Sequence, residues 1–106
     1  MTDKMSYISE AFKSFMVDAP EFAKVWNEAI QGLASASVLY EKTRSLAYLS
    51  VLAALGRVSG VQFHVASLLE MGATRDEIIS AILVGLPAAG HVVTQSLPAA
   101  MEVFDR

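Results

Sequence analysis

Along the whole of this 106-residue chain, apolar side chains recur every three or four positions and nowhere alternate for long with polar ones. That spacing is the helical period, and the missing two-residue period leaves no strand from which to build a sheet. Breakers are sparse, with six glycines and three prolines. They stand between runs rich in alanine, leucine and glutamate, all good helix formers. The chain therefore reads as all-α: a single domain over 1–106 with about six helices, its N-terminal helices within 1–33.

The punctuation places the elements. Ile8, Ala11, Phe12 and Phe15 mark a first helix from about Ser6 to Met16. Asp18-Ala19-Pro20-Glu21 reads as a stop and restart, with Asp18 as N-cap, Pro20 in the first turn and Glu21 where the helix dipole favours an acid. Phe22, Val25, Trp26 and Ile30 then share a stripe. Gly32 is the expected end, and Ala34-Ser35-Ala36-Ser37 the connector. From Glu41 to Leu55 runs a helix that is apolar on most of its circumference, which suits the centre of a core. Gly56 is placed to end it in a left-handed conformation. Ser59 is expected to cap the next helix, about Gly60 to Met71, which Gly72 closes. Thr74-Arg75-Asp76-Glu77 is a capping box ahead of Ile78, Ile79, Ile82 and Leu83. Pro87 is expected to interrupt that helix, and Pro98 to kink a last one from about Ala88 to Phe104.

Composition narrows what such a bundle does. Hydrophobic residues make up 54% of the chain, above the roughly 45–50% of ordinary globular proteins. That excess calls for more burial than one small monomer supplies, so a homo-oligomer is expected. No uninterrupted apolar run approaches the roughly 18 residues of a spanning helix, so no membrane partner is expected. The net charge is −3 and the basic residues are scattered, which offers no footprint for nucleic acid. There is no cysteine, which excludes disulfides, thiolate metal sites and thiol catalysis by this chain. Met1–Tyr7 lacks a basic segment followed by an apolar core, so it does not read as a signal peptide and a cytoplasmic location is expected.

Few side chains could carry chemistry in apolar surroundings. His64 lies with Val61, Val65 and Leu68 on or beside the inward stripe of its helix. An imidazole there either handles protons near neutral pH or is a core histidine whose nitrogens are bonded to neighbours. His91 is the second histidine, one turn from Pro87, Ala88 and Gln95. With no acidic partner one turn away from either, the pair makes a poor metal site, and no metal or other cofactor is expected. Arg57 falls in a corner between helices, where a guanidinium either grips a carboxylate with two parallel hydrogen bonds or is simply solvated. Arg44 carries the same two readings.

Lys42-Thr43-Arg44-Ser45-Leu46, Leu55-Gly56-Arg57, His64, and Glu70-Met71-Gly72-Ala73-Thr74-Arg75-Asp76-Glu77-Ile78 together resemble the carboxymuconolactone decarboxylase family, which shares its fold with alkylhydroperoxidase D. The resemblance runs over 39–104. It implies an all-α subunit that assembles as a dimer and commonly a hexamer. The peroxidase branch carries a Cys-x-x-Cys pair where Arg57 and Gly60 stand here, and a glutamate where Ser45 stands, so its thiol chemistry does not carry over. The decarboxylase branch resembles this chain in its Arg-Ser-Leu and in an arginine at the first cysteine position, but carries an acid where Gly60 stands. It implies a cofactor-independent lyase on a small carboxylated substrate, with His64 as general acid or base and Arg57 as carboxylate clamp. Arg44, Ser45, Ser59 and His91 are further substrate contacts on this reading. The alternative is a non-catalytic oligomeric helical module that binds a ligand or partner and has lost the family's peroxidase chemistry.

Overall fold

A computed structural model of the chain describes residues 4–105. Met1–Asp3, part of the segment read as not being a signal peptide, lie outside the described residues, as does Arg106. The α-helices are α1 (Glu10–Asp18), α2 (Pro20–Ala36), α3 (Glu41–Leu55), α4 (Val61–Glu70), α5 (Arg75–Leu83), α6 (Leu86–Ala89) and α7 (Ser96–Phe104). Short 3-10 segments cover Lys4–Tyr7, Val58–Gly60 and Gly90–Gln95. No strand occurs among the described residues.

Several ends follow the expected chemistry. Gly56 closes α3 at φ 69°, its own NH donating to Ala53 and that of Arg57 to Leu52. The capping box is complete: Glu77 NH donates to Thr74 Oγ1 at 3.1 Å, and Thr74 NH donates to Glu77 Oε1 at 2.9 Å. Gly72 turns the chain at φ 84°.

Other ends differ from expectation, each for a local reason. The first helix starts at Glu10 because Ser9 Oγ accepts from Phe12 NH and caps it there. Lys4–Tyr7 is a separate turn lying against α4. Asp18 does not cap α2; its carboxylate accepts from Ser14 Oγ at 2.6 Å, and Ala19 holds the N-cap position without a side-chain bond. Gly32 does not stop α2, which runs on to Ala36, since a mid-helix glycine costs only about 1 kcal/mol. Ser59 does not cap α4, because it sits inside a 3-10 turn and Gly60 takes the N-cap position. Pro87 interrupts its helix as expected, since α5 ends at Leu83, one turn before it, while Pro98 opens the last helix and does not kink one that begins at Ala88. Each lies in the first turn of a helix, where a missing NH leaves no bond unmade.

The breaks fall at a turn over Val84-Gly85, within the turn before Pro87, and at Gly90, where φ is 78°. They divide the most apolar stretch, Arg75–Phe104. With an 18-residue window of mean hydropathy 1.6, that stretch is long and apolar enough by composition to cross a membrane. In the fold it is not one straight helix, and Ile78, Ile82, Val93, Ala100 and Val103 from it are buried in the core.

α3 is the central element, packed against α4, α5 and the Gly90–Gln95 segment. Its Leu49 and Ala53 join Val61, Val65, Leu68, Ile78, Ile82 and Val93 in one buried cluster. The centrality expected of α3 holds for only half its surface, since Val51 and Leu55 are exposed. α1 and α2 pack mainly on each other, and Ala23 is the one buried residue in the pair.

Ser96 is the exception within the core: it is fully buried and its Oγ has no hydrogen-bond partner among the described residues. A desolvated, unpaired hydroxyl costs about 1–3 kcal/mol. Ser96→Ala is therefore expected to raise stability by about 1 kcal/mol, seen as a melting temperature several degrees higher for a domain this size.

Candidate active site

α4 presents Val61, Val65 and Leu68 to the core, all fully buried. That register leaves His64 at the edge of the core, partly buried. Its ring lies 4.8 Å from the Tyr48 ring of α3, tilted by 51°, and 5.3 Å from Phe63 in an edge-on arrangement. Two aromatic walls therefore fix the imidazole without a hydrogen bond. Among the described residues no donor or acceptor reaches either ring nitrogen, so the backbone-satisfied core histidine does not describe this side chain. Burial pushes the His64 pKa below its ordinary value, because a desolvated imidazolium is disfavoured. At neutral pH the free chain holds a neutral imidazole with both nitrogens available.

Gly60 stands directly beside this ring. A Cβ built there would lie 3.5 Å from Leu52 Cδ1 and 3.9 Å from His64 Cδ2, both ordinary contacts. The backbone at Gly60, φ −91° and ψ −10°, suits any residue. An acid at this position would fit without strain and face the imidazole.

The other residues singled out from the sequence are less closely gathered. Ser45 is partly buried one turn before Tyr48, on the same side of α3 as Tyr48 and Leu52 by helical spacing. Arg44, in the first turn of α3, reaches Leu39 O with Nη1 at 3.5 Å, a weak bond at best. Arg57 is exposed in the turn after α3, and its guanidinium makes no hydrogen bond or ion pair among the described residues. Ser59 is exposed in the following turn. His91 is exposed in the Gly90–Gln95 segment, where its carbonyl accepts from Thr94 Oγ1. No contact joins it to His64.

Tyr48 and Phe63 went unread in the sequence. Tyr48 had one available signal, its place one turn beyond Ser45 on a helix otherwise rich in aliphatic side chains. Phe63 had none, since its neighbour His64 carried the inward register.

Two grooves mark the surface. One, of about 450 Å³, runs between α3 and α5, with Leu46, Ser50, Ala81 and Val84 on its walls and Asp76 and Glu77 at its rim. The other, of about 540 Å³, lies between α1 and α2 and is lined by Phe15, Phe22, Val25 and Trp26. Neither includes His64. No three His, Asp or Glu residues gather as metal ligands among the described residues.

Residues 20–102 match the model of the carboxymuconolactone decarboxylase family. The chain belongs to that family. The match begins at α2, a full helix earlier than the resemblance over 39–104, so α2 belongs to the family unit with the core. No curated protein and no solved structure matched the chain. Within this family, the absence of any cysteine removes the attacking and the resolving sulfur that a dithiol peroxidase requires.

Proposed function

We propose that this family member is a cofactor-independent lyase that decarboxylates a small carboxylated substrate, with His64 as the general acid. The observation that carries the reading is an imidazole held between two aromatic rings with both nitrogens unbonded. The ring is only partly buried and its nitrogens are not among the sealed, unpaired polar atoms, so a substrate can replace water there. Arg57 is the proposed carboxylate clamp, with Arg44, Ser45 and Ser59 as further contacts. Its free guanidinium suits a task that needs both NH groups of one edge.

In the proposed step the bond between the substrate carbon and its carboxylate breaks and carbon dioxide leaves. The electron pair stays on the substrate, spread into its own conjugated carbonyl. The imidazolium of His64 then delivers one proton to carbon, forming the new C–H bond, and solvent returns that proton. A substrate with more than one carboxylate brings negative charge to the imidazole and raises its pKa on binding, so it enters the step protonated.

The sign of the pH dependence follows. The free chain holds His64 below its ordinary pKa. An acid of depressed pKa is protonated only on the low side, so kcat/KM should fall about tenfold per unit as pH rises above that pKa. Gly60→Asp places a carboxylate beside the ring, stabilises imidazolium, and should move the fall to higher pH. Imidazole titration by NMR and the pH profile of carboxylated-lactone turnover check the two halves. A Gly60→Asp protein with an unchanged profile and a raised His64 pKa would remove His64 from the reaction.

The second reading, a non-catalytic oligomeric binding module, draws on a different observation: both grooves are mostly apolar and lie away from His64. Complete inactivity of wild type toward carboxylated lactones, with the assembly intact, would favour it.

A further inference from the structure

Loss of carbon dioxide leaves an electron pair on the substrate, and the carbonyl that takes it up becomes an oxyanion. A donor already aimed at such an oxygen is often the largest single contribution to a rate. On the lyase reading His64 is not that donor, because the proton it presents to the substrate goes to carbon. Arg57 is assigned to a carboxylate. The NH of Gly60, the glycine beside the ring, donates to the Arg57 carbonyl at 3.3 Å. The oxygen therefore needs another partner.

Two aromatic side chains pack on the imidazole, and only one of them carries a donor. Phe63 has none. Tyr48 lies with its ring centroid 4.8 Å from that of His64, and its hydroxyl makes no hydrogen bond among the described residues. At 48% exposed, this tyrosine has part of its surface packed and part open to solvent. α3 holds it in place. Leu49 and Leu52, one and four residues on, are both buried, which fixes the rotation of the helix, and a tyrosine side chain has only two torsions left to order. The wall beside the imidazole is apolar. A Cβ at Gly60 would lie 3.5 Å from Leu52 Cδ1 and 3.9 Å from His64 Cδ2, so Leu52 borders that side and offers no competing donor.

We propose that Tyr48 is a second catalytic residue, its phenol donating a hydrogen bond to the oxyanion that forms as carbon dioxide leaves. The assignment rests on the lyase reading and completes its step. The pair from the broken carbon–carbon bond moves into the conjugated system, and the carbonyl oxygen takes the negative charge. Tyr48 keeps its proton throughout, as a neutral phenol in an oxyanion hole does. His64 then protonates carbon and the charge on oxygen collapses back into the carbonyl. No further reactant is required. The two roles fall on two helices, the oxygen to α3 and the carbon to α4, and the ring contact between Tyr48 and His64 sets the spacing between them.

Tyr48→Phe tests this directly, since it keeps the ring against His64 and removes only the hydroxyl. Turnover of a carboxylated lactone should fall about 10²–10³-fold in kcat with KM nearly unchanged, while the melting temperature and the His64 titration followed by NMR stay at wild-type values. A second measurement needs no turnover. At a pH where its phenol is ionised, 4-hydroxy-3-nitrobenzoate presents a carboxylate and an oxyanion together, and 3-nitrobenzoate presents the carboxylate alone. Wild type should bind the first at least about tenfold more tightly, the worth of one charge-assisted hydrogen bond, and Tyr48→Phe should bind the two alike. A wild type without that preference, or a Tyr48→Phe protein that keeps it, overturns the role of Tyr48. So does loss of the preference in Ser45→Ala and not in Tyr48→Phe, which would assign the donor to Ser45. Full turnover in Tyr48→Phe beside an inactive His64→Ala overturns Tyr48 and leaves the lyase reading standing. A Tyr48-dependent preference in a wild type that turns over no carboxylated lactone supports the oxyanion site and overturns the lyase reading.

Discussion

His64→Ala is expected to lower kcat on a carboxylated lactone by about 10²–10⁴-fold, with KM nearly unchanged. That is the usual worth of a positioned general acid. A loss confined to kcat marks an interaction made in the transition state and not in ground-state binding. The structure makes this result separable from a folding defect. Because neither nitrogen of His64 holds a hydrogen bond among the described residues, the substitution strands no buried partner. What it removes is packing against Tyr48 and Phe63, worth about 0.5–1.5 kcal/mol for each ring pair. Thermal unfolding of the variant should therefore shift modestly while turnover collapses. His64→Gln keeps a similar volume and a polar tip but cannot deliver a proton near neutral pH, and should be as inactive as the alanine variant. Steady-state kinetics with both variants, beside their melting curves, decide the matter. Activity retained within threefold in both would transfer the chemistry away from His64.

How much of this was legible in the sequence depends on whether the signal was local. The capping box at Thr74 and Glu77, the left-handed stop at Gly56 and the all-α class rest on chemistry within a few residues, and the structure has all three. The interruption before Pro87 was legible for the same reason, whereas the error at Pro98 is one of register: the same proline that breaks a helix interior is neutral in the first turn. Which applied at Pro98 depended on where its helix began, and the 3-10 segment Gly90–Gln95, packed on α3, delays that start to Ser96. The site shows the same division. His64 was found because its apolar neighbours at helical spacing are local. Tyr48, sixteen residues away, reaches it only through the crossing of α3 and α4. α3 itself was misjudged on one face because an apolar circumference does not say whether its own chain or another covers Val51 and Leu55.

Leu49 and Val51, two residues apart on α3, turn that ambiguity into a measurement. Leu49 is fully buried among Ala53, Val61, Val65, Ile78 and Ile82, all from its own chain. Leu49→Ala should cost about 2–5 kcal/mol, the lost transfer energy plus a cavity where three helices meet. Against a total stability of roughly 5–15 kcal/mol, a core this small and a hairpin with only Ala23 buried leave little reserve. The variant is expected to melt at least 10 °C below wild type. Its cost should be the same at every protein concentration, since Leu49 packs only within its own chain. Val51→Ala removes a side chain that its own chain leaves half exposed, and in the monomer such a change is usually worth under about 0.5 kcal/mol. In a dimer that covers Val51, its cost should grow as concentration rises and association stabilises wild type more than variant. Chemical denaturation of all three proteins over a hundredfold concentration range separates the two contributions. A Leu49→Ala penalty under 1 kcal/mol would mean that α3 is not the centre of the core, and the placement of His64 against Tyr48 would fall with it.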